Sequence, residues 1–504
     1  MQLRLANVRT PDQAGRQSAR APHPIFVIGS ASAWVASIAY LIWALGNPAS
    51  RPWGLWLSSG WALAWRLDMV GALGCVLVTT VLLTVVSFSS RYLAGTSSMV
   101  RTLILLVVSA VAAASMASAA TPLALAIGWT ISGRGLVALV RTAPASLMTA
   151  AAVRRTSRTF LLSDLALWSV VILLGVTHHP LLLGTRGEPR LVNVLPSSVS
   201  IAIGVLLLVA AAARCGLSPL GRWLPLSVAA PTPVSAFLHA GIVNAGGIAL
   251  ILMAPWALTS VGVRGAVIIV GGLSVVVGSA AMMSAPDIKG ALARSTSAQM
   301  GFMVVCCGLG LYGAALVHLV AHGMYKSTLF LGSSGVVQRH AADAMAPRPA
   351  QVSPSARLGI GLLIPLAVVG GIELGIGSHD APGILLAVLL TAAVVAAVFA
   401  SLNRLATWSL QIAVSVGLSL IAGAYLLVAG WVQHRLGLSP ATWSGDEALP
   451  ITLIAILGVA LLALAVLPGR DARGLGSLTD RLWVAAANTG VNDRLTSTEL
   501  RGAA

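Results

Sequence analysis

Apolar runs of roughly twenty residues recur along the whole chain, separated by short polar connections. A run of about 20 apolar residues is what an α-helix needs to cross a bilayer. Such runs leave no place for strands, so we expect an all-α, polytopic membrane protein. The pattern predicts about fourteen transmembrane helices, at 25–45, 68–90, 100–119, 121–141, 158–176, 197–228, 232–255, 262–283, 295–311, 312–338, 357–377, 382–400, 405–432 and 449–468.

One of these segments, 197–228, carries polar and helix-breaking residues in its middle. Arg214, Gly216 and Pro219 lie inside an otherwise apolar run. Because proline removes a helix hydrogen bond and glycine loosens the backbone, we expect this helix to be broken inside the membrane. Arg214 would hold a fixed positive charge at the break, since arginine does not release its proton in proteins.

The chain divides into three predicted parts. Residues 1–24 carry four arginines and no apolar core of a signal peptide, so this basic segment is expected to stay in the cytoplasm. Residues 25–468 form one transmembrane domain. Residues 469–504 form a polar tail that could fold as a short amphipathic helix on the membrane surface.

The composition supports the membrane assignment. The chain is 57% hydrophobic and 9% charged, with a mean hydropathy of +0.91, whereas a soluble domain has roughly 25% charged residues. The net charge of +17 comes from arginines in the short connections, which is the positive-inside pattern of a multi-pass protein of the inner (plasma) membrane. No basic stretch is interleaved with aromatic residues, so nucleic acid is not an expected partner.

The charge pattern and the even number of spans predict that both termini face the cytoplasm. A cysteine introduced near Arg9 should therefore resist an impermeant thiol reagent in intact cells. Ready labelling there would contradict this topology. The link after the first span is rich in tryptophan and is interpreted as an outer interfacial belt, formed by Trp53, Trp56, Trp61 and Trp65.

Lysine is almost absent from the chain. Of 31 basic residues, only Lys289 and Lys326 are lysine. A chain that uses arginine elsewhere and keeps lysine at two positions indicates that those positions need a cation able to lose its proton.

Lys326 shares an apolar run with two histidines. His318, His322 and Lys326 are four residues apart, so each advances only about 40° around a helix and the three form one polar stripe. A lysine at the bilayer centre costs on the order of 2.5 to 3.5 kcal/mol on insertion scales. We interpret the stripe as a proton relay, because histidine changes charge near neutral pH. The alternative is a structural stripe, with histidines bonded to neighbouring helices and Lys326 reaching an interface.

Other polar residues in apolar surroundings are weaker candidates. His239 follows a Pro-Thr-Pro helix start and precedes Asn244 and small residues that let another helix approach; it is either a relay member or a satisfied core histidine. Asp287 follows Pro286 at a predicted helix start, where its charge suits the helix dipole. Lys289 is either a relay member or part of a basic connection.

One carboxylate is a further candidate. Glu373 lies within the run 357–377 and is either a buried proton carrier or an interfacial carboxylate.

The sequence has no phosphate-binding glycine loop, no cysteine cluster for iron and sulfur, and no zinc-ligand pattern, so no cofactor is expected in this chain. The four cysteines are interpreted as small core residues, at Cys75, Cys215, Cys306 and Cys307.

Three long motifs carry a resemblance to a known family. They are APTPVSAFLHAG, DIKGALARSTSAQMGF and HLVAHGMYKSTLFL. In these the chain resembles the antiporter-like proton-translocating subunits of complex I, such as subunit L, and of Mrp antiporters. HAGIVNAGG and the tail RLWVAAANTGVND look like the DabB-type subunits of inorganic carbon transporters. The resemblance spans roughly Trp65 to Asp493.

The resemblance implies inverted five-helix repeats with broken helices and a buried chain of proton carriers. Matched residue by residue, it points to His239, Asp287, Lys289, His318, His322 and Lys326. Two positions depart from the family: Thr130 stands in GWTISG where the family has a carboxylate, and Arg214 stands where it has a lysine. The second half also lacks any lysine. The amino-terminal half-channel is therefore either a proton path, a docking surface or a static electrostatic element.

A DabB-type subunit would work with a DabA-type partner, which carries a carbonic-anhydrase-like zinc site. The pair would couple the influx of protons or sodium to hydration of carbon dioxide. The zinc would belong to the partner, and this chain would be an ion-translocating subunit and not an enzyme. The alternatives are a proton-translocating subunit of a complex I-like or hydrogenase-like assembly, where it would be part of a translocase, and a non-conducting membrane scaffold.

Overall fold

The computed structural model describes most of the membrane region and neither end of the chain. It describes residues 24–47, 50–58, 61–176, 182–183, 195–285, 287–335, 359–376, 381–402, 407–437 and 448–466. The predicted cytoplasmic segment up to residue 23 and the predicted tail helix lie outside the described residues.

Each of the fourteen predicted apolar segments is helical in the described part of the chain, and two of them divide into two helices. The helices are α1 Pro24–Gly46, α2 Met69–Tyr92, α3 Met99–Ala117, α4 Pro122–Val140, α5 Leu147–Val176, α6 Ser197–Cys215, α7 Trp223–Leu226, α8 Thr232–Ala240, α9 Ala245–Ala257, α10 Val261–Met283, α11 Ile288–Gly308, α12 Tyr312–Leu331, α13 Ile364–Ile376, α14 Ala381–Leu402, α15 Trp408–Leu436 and α16 Ala448–Val466.

Ten helical segments among the described residues are long and apolar enough to cross a membrane. Two shorter apolar stretches follow: Gly359–Gly375, which holds a turn of π-helix at Gly359–Leu363 and most of α13, and Leu449–Ala460 within α16. α11 and α12 are long enough but carry the polar motifs. The multi-pass architecture is thus confirmed, while the count of fourteen spans and the inverted repeats stay predictions.

The expectation of a chain without strands is wrong. The tryptophan-rich link forms an antiparallel hairpin, β1 Trp53–Ser58 and β2 Trp61–Trp65, in which Trp53 pairs with Trp65. In β2 large and small residues alternate, so its two alanines, Ala62 and Ala64, face the core. The hairpin is also hydrogen-bonded to the connection between α3 and α4, where the Ala120 amide donates to the Ala64 carbonyl at 2.9 Å.

The predicted break in the sixth apolar segment is confirmed. α6 ends at Cys215, and Gly216 follows with a φ of +67°, a left-handed conformation that glycine adopts without a steric penalty. Side chains take up the carbonyls freed at the break: the indole of Trp223 donates to Ala213 O at 2.9 Å, and Ser297 Oγ donates to Gly216 O at 2.7 Å. After the break the chain continues through 3₁₀ turns and α7 to Ala229.

A second break, between α8 and α9, was not predicted. The Pro-Thr-Pro sequence starts α8 as expected, but the helix ends at Ala240 and a 3₁₀ turn at Ile242–Asn244 leads into α9. The Asn244 side chain donates to the Ala240 carbonyl at 2.6 Å and so satisfies the helix end. Every residue from 232 to 254 is buried, so this broken segment lies at the centre of the bundle.

Candidate functional site

The polar stripe on α12 faces the interior of the bundle. His322 is 4% exposed and Lys326 is 1% exposed, while His318 is partly buried. The rings of His318 and His322 lie 5.9 Å apart between centroids and are inclined by 17°. The spacing of four residues therefore produces one continuous row of titratable groups, as predicted.

The Lys326 ammonium is held by neutral groups of α11. Its Nζ donates to the Leu292 carbonyl at 2.9 Å and to Ser295 Oγ at 2.5 Å. Ser295 in turn donates to Leu292 O at 3.0 Å. In the described part of the chain no carboxylate lies within ion-pair distance of Lys326. The buried lysine is thus bound by groups that tolerate either its charged or its neutral form.

The contacts of the stripe bear on both interpretations, the relay and the structural one. Lys326 is buried, so it does not reach a membrane interface. Both ring nitrogens of His322 and Nε2 of His318 are buried and have no hydrogen-bond partner among the described residues. His318 is bonded to the Gln299 backbone and Lys326 to Leu292 and Ser295, all on α11, as the structural alternative expects. The proton relay therefore stays a prediction.

His239 joins this cluster from α8. Its ring is fully buried and stacks on Phe330 of α12, with centroids 4.5 Å apart and planes inclined by 10°. His239, His322 and Lys326 are close enough for their charges to interact. On its other side, His239 Nε2 lies 3.4 Å from Ser227 Oγ. The structure therefore brings four of the predicted residues, His239, His318, His322 and Lys326, into one buried cluster.

Asp287 and Lys289 lie at the start of α11, at the edge of the cluster. Asp287 is exposed and caps the helix, accepting from the Gly290 amide at 2.6 Å, which confirms the predicted helix start. Lys289 is half-buried and donates to Thr232 Oγ1 at 2.8 Å, at the start of α8. The geometry accounts for Asp287 as a cap, and the relay membership of both residues stays a prediction.

Glu373 lies half-buried in α13, a helix that packs against α14 and α15. Its place on a proton path stays a prediction.

Arg214 lies at the α6 break and is fully buried. Its Nη2 donates to Asp164 Oδ1 on α5 at 2.9 Å, and its guanidinium carbon lies 4.5 Å from the ring centre of Trp129 and 4.4 Å from that of Phe160. The other oxygen of Asp164 accepts from Arg134 of α4. Arg214 is therefore paired with a carboxylate and packed against two aromatic rings. Thr130, the other departure from the family pattern, accepts a hydrogen bond from Trp168 at 3.0 Å.

Sequence reasoning missed Asp164 and Ser295. Asp164 lies inside the predicted span 158–176, and a carboxylate at that depth is as informative as a lysine. Ser295 belongs to the motif ARSTSAQ, whose hydroxyl groups gave no indication of their partners because Lys326 is 31 residues away. In the described part of the chain no three His, Cys, Asp or Glu side chains converge as metal ligands.

Close packing at Gly323 holds α12 against its neighbours. A β-carbon at Gly323 would lie 2.7 Å from the Ala240 carbonyl and 2.3 Å from Leu77 Cδ1. Gly323→Ala should therefore push α12 away from α8 and lower stability by about 1–3 kcal/mol, measured as a lower thermal midpoint in detergent. Gly430→Ala on α15, where nothing lies within 4 Å, is the matched control and should be neutral or slightly stabilising. Equal midpoints for the two variants would contradict this interpretation.

Residues 119–348 match the family model described as "NADH:quinone oxidoreductase/Mrp antiporter, TM". The probable inorganic carbon transporter subunit DabB1 of Halothiobacillus neapolitanus is 33% identical over 328 residues, which cover 64% of this chain and 58% of the relative. NADH-quinone oxidoreductase subunit L of Mycobacterium tuberculosis is 41% identical over 143 residues, 28% of this chain and 23% of the relative.

Among solved structures, this chain superposes on a chain of the Mrp complex from Dietzia sp. DQ12-45-1b with a TM-score of 0.60 at 23% identity. The match covers 94% of this chain and 59% of the Mrp chain. At this identity the likeness shows the fold alone. The chain spans little more than half the length of the DabB1 relative. The resemblance carried by the three sequence motifs is confirmed: the chain is a multi-pass membrane protein, and its residues 119–348 are similar to antiporter-like subunits.

Proposed function

We propose that this chain, whose membrane domain is similar to those of antiporter-like subunits of quinone oxidoreductases and Mrp antiporters, is the ion-conducting subunit of an inorganic carbon transporter. It would conduct protons or other cations, such as sodium, and so drive a DabA-type partner. The observation that carries the proposal is the row of Lys326, His322 and His318 inside the bundle, with His239 beside it. Among the described residues no carboxylate is paired to the lysine.

This arrangement suits proton transfer for a physical reason. A lysine buried without a counter-charge gains from giving its proton to a neighbour, because burial disfavours the ammonium form. The nearest groups along the stripe are histidines with unbonded ring nitrogens, which can accept that proton. Ser295 can accept a hydrogen bond from the ammonium or donate one to the neutral amine, so Lys326 remains bonded in both states.

A proton relay would also explain why position 326 is a lysine and not an arginine. Arginine has taken 29 of the 31 basic positions in the chain. A guanidinium at position 326 would keep its proton and stop the relay. Lys326 lies on α12 and Lys289 in the first turn of α11.

The partner would supply the hydration chemistry. In the proposed assembly, zinc belongs to the DabA-type subunit, and this chain provides the ion path. Its similarity to a probable inorganic carbon transporter subunit over 64% of its length supports this choice of partner.

A complex I-like assembly is the second candidate. It is favoured by the 41% identity to a quinone oxidoreductase subunit, although that similarity covers only 28% of this chain. In that case the same residues would move protons as part of a translocase.

Purification of the tagged protein from the membranes of its native host would distinguish these functions. A stoichiometric partner that contains zinc and resembles DabA, together with uncoupler-sensitive uptake of inorganic carbon by the reconstituted pair, is the expected result. Co-purification of quinone oxidoreductase subunits would favour the second candidate. A lone protein that conducts no ions in liposomes would indicate a scaffold.

A further inference from the structure

One carboxylate binds two arginines at the break of α6. Asp164 on α5 binds the fully buried Arg214 through Oδ1 and Arg134 of α4 through Oδ2. The Arg134 side chain is 40% exposed and that of Asp164 only 6% exposed. The three charges sum to one net positive charge inside the amino-terminal half of the bundle.

The Arg214 guanidinium also fills the space at the break. Trp129 and Phe160 both pack against it, with ring centres 4.5 and 4.4 Å from the guanidinium carbon. A β-carbon at Gly133 would lie 2.3 Å from Arg214 Nη1, so α4 is in close contact with the edge of the group. Trp223 of α7 packs edge-on against Phe160 at 4.8 Å and so holds the far side of the break against the same ring.

These features oppose the passage of cations. A broken helix at membrane depth is where a polar path would form, because its backbone groups are freed there. Here the space is occupied by a side chain that cannot release its proton, and a net positive charge in a low-dielectric setting repels cations. Fixed arginines exclude protons and cations from membrane pores in this way.

We propose that Arg134, Asp164 and Arg214 form a closed cation barrier, so that ions do not cross at the α6 break and pass only along the stripe that holds Lys326. Asp164 is the residue that keeps the barrier in position, since it is the counter-charge that holds Arg214 against the two aromatic rings. The inference rests on the proposed function, in which the chain conducts ions.

Two double variants test whether the filling of the break must exclude water. Both remove the neutral Asp164–Arg214 pair and leave the net charge of Arg134 in place. Asp164→Asn with Arg214→Gln removes the buried pair and leaves polar groups that water can follow. Asp164→Leu with Arg214→Met removes the same charges but leaves an apolar filling of similar length, a replacement that buried ion pairs generally tolerate. Each protein is reconstituted in liposomes without a partner, and passive proton leak is followed with an entrapped pH dye.

For the double variant Asp164→Asn with Arg214→Gln, called the Asn and Gln variant, the barrier predicts a rise in proton leak of about ten-fold or more. For Asp164→Leu with Arg214→Met it predicts the same leak as in the unmodified protein. The rise should persist when Lys326→Arg is added, because the leak does not use the relay. Absence of a rise in a folded Asn and Gln variant would overturn the proposal. So would a rise that disappears with Lys326→Arg, since the leak would then use the relay.

A third variant covers the case in which the Asn and Gln protein does not fold. Arg134→Gln removes the net charge and leaves the buried pair intact, and the barrier predicts a rise in leak of about three-fold. Unchanged leak in this variant would overturn the proposal. Failure of the proposed function is a separate result, since it would appear as a lack of coupled uptake by the unmodified protein with its partner, whatever the leak of the variants.

Discussion

Replacing Lys326 by arginine is expected to abolish coupled ion translocation while the protein still assembles with its partner. The substitution keeps the positive charge and approximate length of the side chain but removes its ability to deprotonate. The acceptors on α11, Leu292 O and Ser295 Oγ, can still receive hydrogen bonds from a guanidinium, so the fold should survive. The measurement is uncoupler-sensitive uptake of inorganic carbon by the reconstituted pair, or growth at low carbon dioxide.

Further variants test how much each residue contributes to the proposed relay. Lys326→Ala should also fail, whereas His322→Ala should be impaired to a lesser degree if water can bridge the gap. Lys289→Arg is the matched control, since this lysine is half-buried and donates to the Thr232 hydroxyl, which arginine can also do. We expect a smaller loss there than at Lys326. Full, uncoupler-sensitive uptake by the Lys326→Arg protein would show that the stripe is structural.

Replacing Arg214 by alanine is expected to cost about 3 kcal/mol of stability, the lower end of the range for breaking a buried ion pair, because Arg134 still pairs with Asp164. Asp164 would be left with Arg134 as its partner, and the space beside Trp129 and Phe160 would be left unfilled. Arg214→Lys keeps a cation in this space and should be tolerated, or even raise conduction. The measurement is the unfolding midpoint in detergent, together with the amount of protein in the membrane.

The control for this prediction lies eight residues further on. Arg222 is exposed on the same broken segment, so Arg222→Ala should change stability by no more than about 0.5 kcal/mol. Equal losses in Arg214→Lys and Arg214→Ala would show that the fork geometry of the guanidinium, and not its charge, is what the site needs.

Local sequence patterns were sufficient for the features that depend on one helix. The spacing of His318, His322 and Lys326 predicted their shared face. Gly216 predicted the end of α6, because glycine adopts a left-handed φ without a steric penalty. The start of α8 followed from its prolines in the same way. Each of these depends on backbone geometry within a few residues.

Features that depend on two distant segments could not be predicted. Asp164 and Arg214 are 50 residues apart, and Lys326 and Ser295 are 31 apart, so their pairing is decided by how the helices pack. The hairpin was missed because tryptophans flanking a membrane span are usual at an interface, and the alternation in β2 covers only five residues. The break after Ala240 was missed because its glycines were interpreted as helix contacts alone.

The shared carboxylate has a consequence for how the chain enters the membrane during synthesis. An unpaired aspartate released into lipid costs on the order of 2.5 to 3.5 kcal/mol, and Arg214 is synthesised 50 residues after Asp164. Arg134 is synthesised 30 residues before Asp164 and can neutralise it as soon as α5 leaves the translocon. α4 and α5 would then partition into the bilayer together as a helical hairpin, and Arg214 would find its counter-charge already in position.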